Sequence, residues 1–374
     1  MVIFEYTAFI ILSIYSLIII GFSIGWLKIE RFRSRGNFDP ISVSIIVACR
    51  NEEENIQQLL DCLVAQNYPK NKTEIIIIDD HSEDNTVASI KRKSVKNSHI
   101  NYLQLPPEKT GKKEAIAYGI ENSTSEIILT TDADCEMKEN WISSMVGYYI
   151  NYQPKLLSGP ITLKKTSGLF QNFQSLEFLS LVASGAGAIG INRPIMNNGA
   201  NLLFEKTLFL ESNQYKSYAS GDDIFLMLHA KKKYRERIHF IKSKNAIVYT
   251  YGLNKISRFF NQRIRWTSKS KAYRDFDIIF TAIIVSLINL MLVLSILLSF
   301  WEKLFLLVSL IMFLTKSLVD LMILMPISSF FSKQNLLWLF FPLQVIYPFY
   351  ILITVILGLI GNFNWKNRTF REKR

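Results

Sequence analysis

Polar and apolar positions divide the chain into three kinds of sequence. From Thr7 to Leu27 the residues are almost unbroken apolar, and Lys28, Arg31, Arg33 and Arg35 follow at once. A helix of about 20 apolar residues crosses a bilayer. No Lys or Arg precedes the stretch, Glu5 stands there instead, and a cleaved leader would want a basic start and a small-residue cleavage site. The segment therefore reads as an uncleaved anchor. Basic residues after it place the following sequence on the cytosolic side.

From about Pro40 to Tyr251 the pattern changes to short β-rich runs at Val43 to Ala48, Glu74 to Asp79, Ile100 to Leu105 and Glu126 to Thr131. Between them lie helix-compatible stretches at Glu53 to Ala65, Asn85 to Lys96 and Lys112 to Glu121. This alternation predicts an α/β domain with a parallel sheet and right-handed crossovers, whose ligands bind at the carboxyl ends of the strands. After Asp277 come apolar runs at Ile278 to Phe300, Leu304 to Met325 and Leu336 to Ile360. Two spanning helices are expected, and a third segment that Pro342 and Pro348 make either a kinked span or a re-entrant hairpin. Three full spans would carry the basic tail (Lys366, Arg368, Arg371, Lys373, Arg374) outside, against the charge rule. The expected organisation is an anchor and basic linker over 1–39, an α/β domain over 40–254, a basic amphipathic helix over 255–277 and a membrane region over 278–374.

Composition supports a chain partly in lipid, because 49% hydrophobic residues is high for a soluble protein that also carries 20% charged ones. A net charge of +12 suits nucleic acid, an anionic membrane or phosphate-bearing substrates, so its distribution has to decide. Cys49, Cys62 and Cys135 are odd in number and lack C-x-x-C spacing, and the histidines are scattered, which indicates neither a disulfide framework nor a zinc site.

The strongest chemical signal is Asp132-Ala133-Asp134 after the strand Ile127 to Thr131. Residues two apart on a strand share a face, so both carboxylates would project from a strand end and hold Mg²⁺ or Mn²⁺ with the oxygens of a diphosphate. The first strand ends at Arg50-Asn51-Glu52-Glu53 and the second at Asp79-Asp80-His81-Ser82-Glu83-Asp84, where a nucleotide would lie. Asn51 and Asp84 are also candidate helix N-caps. No G-x-G-x-x-G follows the first strand, and Thr110-Gly111-Lys112-Lys113 is not a P-loop. Ser220-Gly221-Asp222-Asp223 opens a helical stretch; a carboxylate there is either a dipole-favoured cap or a general base.

From Lys255 to Arg274 basic residues (Lys255, Arg258, Arg263, Arg265, Lys269, Lys271, Arg274) accompany an apolar stripe of Ile256, Phe259, Phe260 and Ile264 with no acidic residue. A helix of this kind beside a spanning segment lies in the anionic interface. It abuts lipid and carries no recognition motif, so a nucleic-acid partner is not expected. Gln262, Arg265 and Trp266, at i, i+3 and i+4, share one face of it.

Taken in order, Arg50-Asn51-Glu52, Asp79-Asp80-His81-Ser82, Gly111-Lys112, Asp132-x-Asp134, Gly221-Asp222-Asp223 and Gln262-x-x-Arg265-Trp266 resemble the membrane-integrated members of glycosyltransferase family 2, over roughly residues 40 to 270. Those members include ceramide glucosyltransferases and the synthases of cellulose, hyaluronan and poly-N-acetylglucosamine. The resemblance implies a GT-A fold flanked by transmembrane helices, UDP-sugar donors (UDP-hexose or UDP-N-acetylhexosamine) and inversion at the anomeric carbon. By the same resemblance Arg50, Glu52, Asp79, Asp80, Lys112 and Asp132 serve the nucleotide sugar, and Asp132 and Asp134 the metal. Asp223 is the base, with Asp222 beside it as the alternative, since many relatives have Thr-Glu or Glu where this chain has Gly221-Asp222. Gln262, Arg265 and Trp266 border diphosphate and acceptor. The partners expected are a nucleotide-sugar donor, a lipid or glycan acceptor, and the membrane, with the catalytic domain on the cytosolic face of the plasma membrane. A membrane lipid is the favoured acceptor; a processive polysaccharide synthase and a non-catalytic membrane scaffold or export component are the rival readings. The stretch Leu169 to Val182 is a second interfacial wall or part of the soluble core.

Overall fold

A computed structural model describes residues 2–34, 38–164, 168–212, 222–268, 272–360, 363–365 and 368–370, with only the backbone for Asp222, Ile360 and the last two short segments. Arg35, Ser220, Gly221, Lys269, Lys271, Lys366, Arg371, Lys373 and Arg374 lie outside the described residues. The helices are α1 Val2–Lys28, α2 Ile56–Val64, α3 Thr86–Lys96, α4 Lys112–Glu121, α5 Trp141–Tyr152, α6 Leu169–Gly190, α7 Lys206–Glu211, α8 Asp222–Tyr234, α9 Ile256–Ser268, α10 Phe276–Leu298, α11 Leu304–Phe330 and α12 Phe340–Ile360. The strands are β1 Val43–Cys49, β2 Thr73–Asp79, β3 Ile100–Gln104, β4 Ile127–Thr130, β5 Glu136–Met137, β6 Leu156–Ser158, β7 Ile161–Leu163, β8 Leu202–Glu205, β9 Ile238–Phe240 and β10 Val248–Thr250, with a hairpin of β11 Phe363–Trp365 and β12 Arg368–Phe370. The chain forms two compact units, one of residues 29–164 and 196–251, the other of residues 1–28, 165–195 and 252–374.

The first unit is built on a sheet of order β3-β2-β1-β4-β8-β6-β9. β1 (VSIIVAC) and β2 (TEIIIID) are apolar almost throughout and buried on both faces, as strands between two helical layers must be. β3, β2, β1 and β4 are parallel as expected, but β8 runs antiparallel to both β4 and β6. The crossover rule applies to a βαβ unit whose helix packs back on the same sheet; α6, which precedes β8, belongs to the other unit, so β8 is exempt. Cys49, Asp79 and Gln104 are in register, which aligns the carboxyl ends of β1, β2 and β3. A smaller sheet of order β5-β10-β7 lies in the same unit.

Asn51 does not cap α2, contrary to one of its two readings. Its backbone is left-handed (φ 50°), its side chain accepts the Glu83 amide, and α2 starts only at Ile56 after a turn closed on the Glu52 carbonyl. Asp84 does serve the start of α3, accepting the Thr86 amide at 3.0 Å.

In the second unit, α1, α10, α11 and the stretch Gln334–Leu359 are long and apolar enough to cross a membrane. The last is a 3₁₀ turn, Gln334–Leu339, running into α12, and α12 continues through Pro348. A re-entrant hairpin is therefore absent from the described residues. Pro342 falls in the first turn of α12, and Pro348 is the proline in its interior. One polar cluster inside these helices is mutually paired, as a low-dielectric surrounding favours: Lys316 donates to Asp320 (2.7 Å) and Gln344 (3.0 Å), and Tyr15 donates to Asp320 (2.6 Å).

Residues 165–195 leave the 40–254 domain read from the sequence and join the apolar helices. The reason is a glycine crossing between α1 and α6. A Cβ on Gly25 would lie 1.9 Å from the Gly187 carbonyl oxygen, and one on Gly187 would lie 2.2 Å from the Phe22 carbonyl oxygen. Small residues let helix backbones approach this closely. Gly187→Ala is expected to destabilise the protein by about 1–3 kcal/mol, because the obstacle is backbone and cannot rotate away. Gly21→Ala, whose Cβ would meet only the Ile191 side chain at 3.8 Å, is the control and should be neutral or stabilising. Thermal unfolding of the two variants in detergent checks the pair; equal midpoints would sink the close-crossing explanation.

Candidate active site

The Asp132-x-Asp134 motif lies beyond the end of β4, in a turn closed by the Cys135 amide on the Asp132 carbonyl at 3.1 Å, and not on the strand face expected for it. The turn keeps the two carboxylates close enough for the charge of Asp132 to act on Asp134. Asp134 is held up at about 6, first by burial and then by the negative charges of Asp132 and Glu52, with Lys112 opposing. Asp132 is paired with the Lys112 ammonium at 2.5 Å. Thr250, at the end of β10, donates to Asp134 at 3.4 Å.

Lys112 is delivered by the loop before α4. Gly111 takes φ 97°, open to glycine and strained for other residues. Its amide donates to Asp80 at 3.0 Å, and the Thr110 hydroxyl donates to the same carboxylate at 3.4 Å. Asp79 accepts the Ser82 amide (3.1 Å to the nearer oxygen). Both aspartates are 1% exposed. They stand side by side because successive residues at a strand end serve different loops, Asp79 its own turn and Asp80 the Gly111 turn. Arg50 is buried beneath them, donating to the carbonyls of Asp80 (2.6 Å) and His81 (2.9 Å) and pairing with Glu83. Glu52 accepts from the Asn55 side chain at 2.8 Å. Of the residues that the resemblance gives to the nucleotide, Arg50, Asp79 and Asp80 thus build the loops, while Glu52, Lys112 and Asp132 cluster around Asp134.

Asp223 sits in the first turn of α8. One of its oxygens accepts the Gly199 amide at 3.0 Å, and the Gly199 carbonyl accepts the Thr130 hydroxyl at 2.6 Å. A single peptide segment therefore ties Asp223 to the end of β4, from which the Asp132 turn departs. Asn197 adds a bond to the Asp223 carbonyl at 3.1 Å. The side chain of Asp222 lies outside the described residues.

The segment Asn197 to Asn201, which does this joining, was not legible as part of the site. Asn201 is fully buried; it donates to the carbonyls of Pro160 and Ala246 (2.8 Å each) and accepts the Trp141 indole N–H at 2.9 Å. Three asparagines around a glycine, Asn197-Asn198-Gly199-Ala200-Asn201, are a turn signal in the sequence, but nothing local shows what the turn holds.

Gln262, Arg265 and Trp266 lie on α9 in the second unit. Gln262 accepts from Arg263, the Trp266 ring is 6.4 Å from that of Phe178, and the Arg265 carbonyl accepts the Ser268 hydroxyl. The predicted stripe is only partly inward: Phe259 is buried, Phe260 and Ile264 are half-buried, and Ile256 is exposed. Arg263 is buried in its stead, because Glu177 on α6 receives it.

Among the described residues no three His, Cys, Asp or Glu side chains converge as a metal cage. Two carboxylates nonetheless fit a Mg²⁺ or Mn²⁺ that completes its shell with water and substrate phosphate oxygens. The half-buried Asp132 and Asp134, whose negative charges oppose one another, are the kind of pair a dication relieves.

Residues 44–208 match Glycosyl transferase family 2. Glycosyltransferase AglE of Haloferax volcanii is 30% identical over 146 residues, 37% of this chain and 48% of that protein. Poly-beta-1,6-N-acetyl-D-glucosamine synthase of Staphylococcus epidermidis is 27% identical over 237 residues, 60% of this chain and 53% of that protein. The chain spans about half the length of these curated relatives. The solved structure of mannosyltransferase PcManGT from Pyrobaculum calidifontis, in complex with GDP-Man and Mn²⁺, aligns over 96% of this chain and 99% of its own with a TM-score of 0.60 at 17% identity, a likeness of fold. The family match over residues 44–208 falls on the sheet and loops that hold Asp80, Lys112, Asp132 and Asp134, so this part of the chain is similar to glycosyltransferase family 2 and shares the GT-A fold of the mannosyltransferase, in company with four helices, among the described residues, long and apolar enough to cross a membrane.

Proposed function

We propose that the protein moves a hexose or N-acetylhexosamine, with inversion, from a nucleotide-diphosphate donor to a membrane lipid at the cytosolic leaflet of the plasma membrane. The observation that carries this reading is the joining of the Asp132 turn to Asp223 through Thr130 and Gly199. It gives one framework both a diphosphate-metal end and a base. The names of the curated relatives, a glycosyltransferase and a poly-N-acetylglucosamine synthase, support it, as does the GDP-Man and Mn²⁺ complex of the structural neighbour.

Mg²⁺ or Mn²⁺ held by Asp132 and Asp134 would supply positive charge to the leaving diphosphate. Lys112, paired with Asp132 here, is placed to offer its ammonium to the same phosphates. Inversion takes one displacement and needs one base, unlike the carboxylate pair of a glycoside hydrolase. The Gly199 amide fixes one oxygen of Asp223, and the other takes the proton of the attacking hydroxyl. Gln262, Arg265 and Trp266 are assigned to diphosphate and acceptor on the motif alone.

A processive synthase is the second reading, favoured by the 27% identity to the poly-N-acetylglucosamine synthase. The two separate in one experiment. Full-length protein in sealed vesicles containing bacterial or archaeal lipid extract is given labelled UDP-glucose, UDP-N-acetylglucosamine or GDP-mannose from either side. The expected product is organic-soluble and forms only with donor on the face that carries Arg31 and Arg274. Label found solely in long polymer overturns the lipid acceptor, and no turnover with any donor favours the scaffold.

A further inference from the structure

Arg263 and Glu177 form an ion pair buried to 5% and 6% exposure within the second unit. Burying two charges costs several kcal/mol each, and an apolar pair of similar volume is often as stable or more so. Stability alone is thus a poor account of the pair. The Arg263 fork gives Nε (2.8 Å) and Nη2 (2.5 Å) to the two oxygens of Glu177, and Tyr350 donates to the same carboxylate at 2.9 Å. Its remaining nitrogen, Nη1, donates to the Gln262 side chain. The guanidinium carbon, Cζ, lies 4.4 Å from the Phe259 ring centre and 4.2 Å from that of Trp266.

Neighbouring residues on a helix point about 100° apart and do not ordinarily meet. Arg263 reaches back to Gln262 because Glu177, on another helix, fixes where its fork lies. The same anchoring holds its guanidinium over the Trp266 ring. One buried cation thereby sets the rotamers of two residues of the Gln262-x-x-Arg265-Trp266 motif. Lysine would keep the charge but has neither the fork nor the plane.

We infer that Arg263, clamped by Glu177, is a positioning residue that fixes the Gln262 amide and the Trp266 ring for sugar transfer, an inference that rests on those two residues taking part in the reaction. A displacement of about 1 Å in such a group can lower turnover by about 10²-fold, which is the effect expected of losing the clamp.

The test uses full-length protein in nanodiscs with 5-fluorotryptophan, the Trp266 resonance being assigned by its loss in Trp266→Phe. Arg263→Lys should keep the fold, lower kcat by about 10²-fold and turn the single Trp266 resonance into several. The triple variant Glu177→Leu, Arg263→Met, Tyr350→Phe removes the pair and its hydroxyl partner together. It should keep the wild-type unfolding midpoint while losing kcat to the same extent. Wild-type kcat with a single Trp266 resonance in Arg263→Lys, or in a folded triple variant, overturns the inference. Should Gln262→Ala and Trp266→Ala both keep wild-type kcat, the motif has no part in transfer, and the underlying reading fails first.

Discussion

Asp223→Asn is expected to lower kcat by about 10²–10⁴-fold, the usual worth of a general base, without loss of donor or metal binding. The substitution conserves shape, and the asparagine carbonyl can still accept the Gly199 amide that Asp223 accepts at 3.0 Å. α8 and the Asn197 to Asn201 turn should therefore stay in place. An amide has no basicity to take the acceptor proton, so only the chemical step suffers. Single-turnover kinetics with labelled donor, alongside calorimetry of donor and Mn²⁺ binding, separate the two effects. A normal kcat would transfer the role to Asp222 or to a residue elsewhere.

Turnover should also vanish in chelator, and Asp134→Ala should reduce it by at least about 10²-fold, because charge building on the leaving diphosphate then has no dication to offset it. The pH dependence follows from the position of Asp134. Its carboxyl is raised to about 6 by burial and by Asp132 and Glu52, so the folded, metal-free protein binds this proton more tightly than the unfolded chain does. The group's contribution to stability is fully present below the ordinary carboxylate range and is lost as pH rises through about 6. A dication competes with that proton. Addition of Mn²⁺ should raise the thermal midpoint well above pH 6 and do so progressively less below it. A Mn²⁺ effect of equal size at pH 5 and pH 8 would move the metal away from Asp134, and undiminished activity in chelator would remove it altogether.

Strand and helix placement in the sheet domain was legible because β1, β2 and β4 are largely apolar runs, and β3 a short run with Ile100, Tyr102 and Leu103, each bounded by polar loops, a signal carried by neighbours in sequence. The acidic motifs stood out for the same reason. What their members do was less legible. Asp79, Asp80 and Asp132 look alike as residues at or just after strand ends, yet the first two are absorbed by the amides of Ser82 and Gly111 while the third faces Lys112. For Asp80 and Asp132 the difference arises from the Gly111–Lys112 loop, many residues away, which no local pattern encodes.

By itself, then, the sequence determined where apolar stretches long enough to cross a bilayer occur, which runs become strands, and which acidic and basic motifs lie at the carboxyl ends of those strands. These follow from periodicity and composition within short windows. Tertiary structure alone decided that α6 leaves the sheet domain for the apolar helices, because Gly25 and Gly187 must meet face to face before their missing side chains matter. It decided likewise that Arg263, among the described basic residues of its run, is the buried one, since contact with Glu177 and Tyr350 makes burial of a guanidinium tolerable. The link from Thr130 through Gly199 to Asp223 is of the same kind. Hydrogen bonds between residues dozens of positions apart depend on where the sheet brings the chain together, and the residues involved carry no mark of it beforehand.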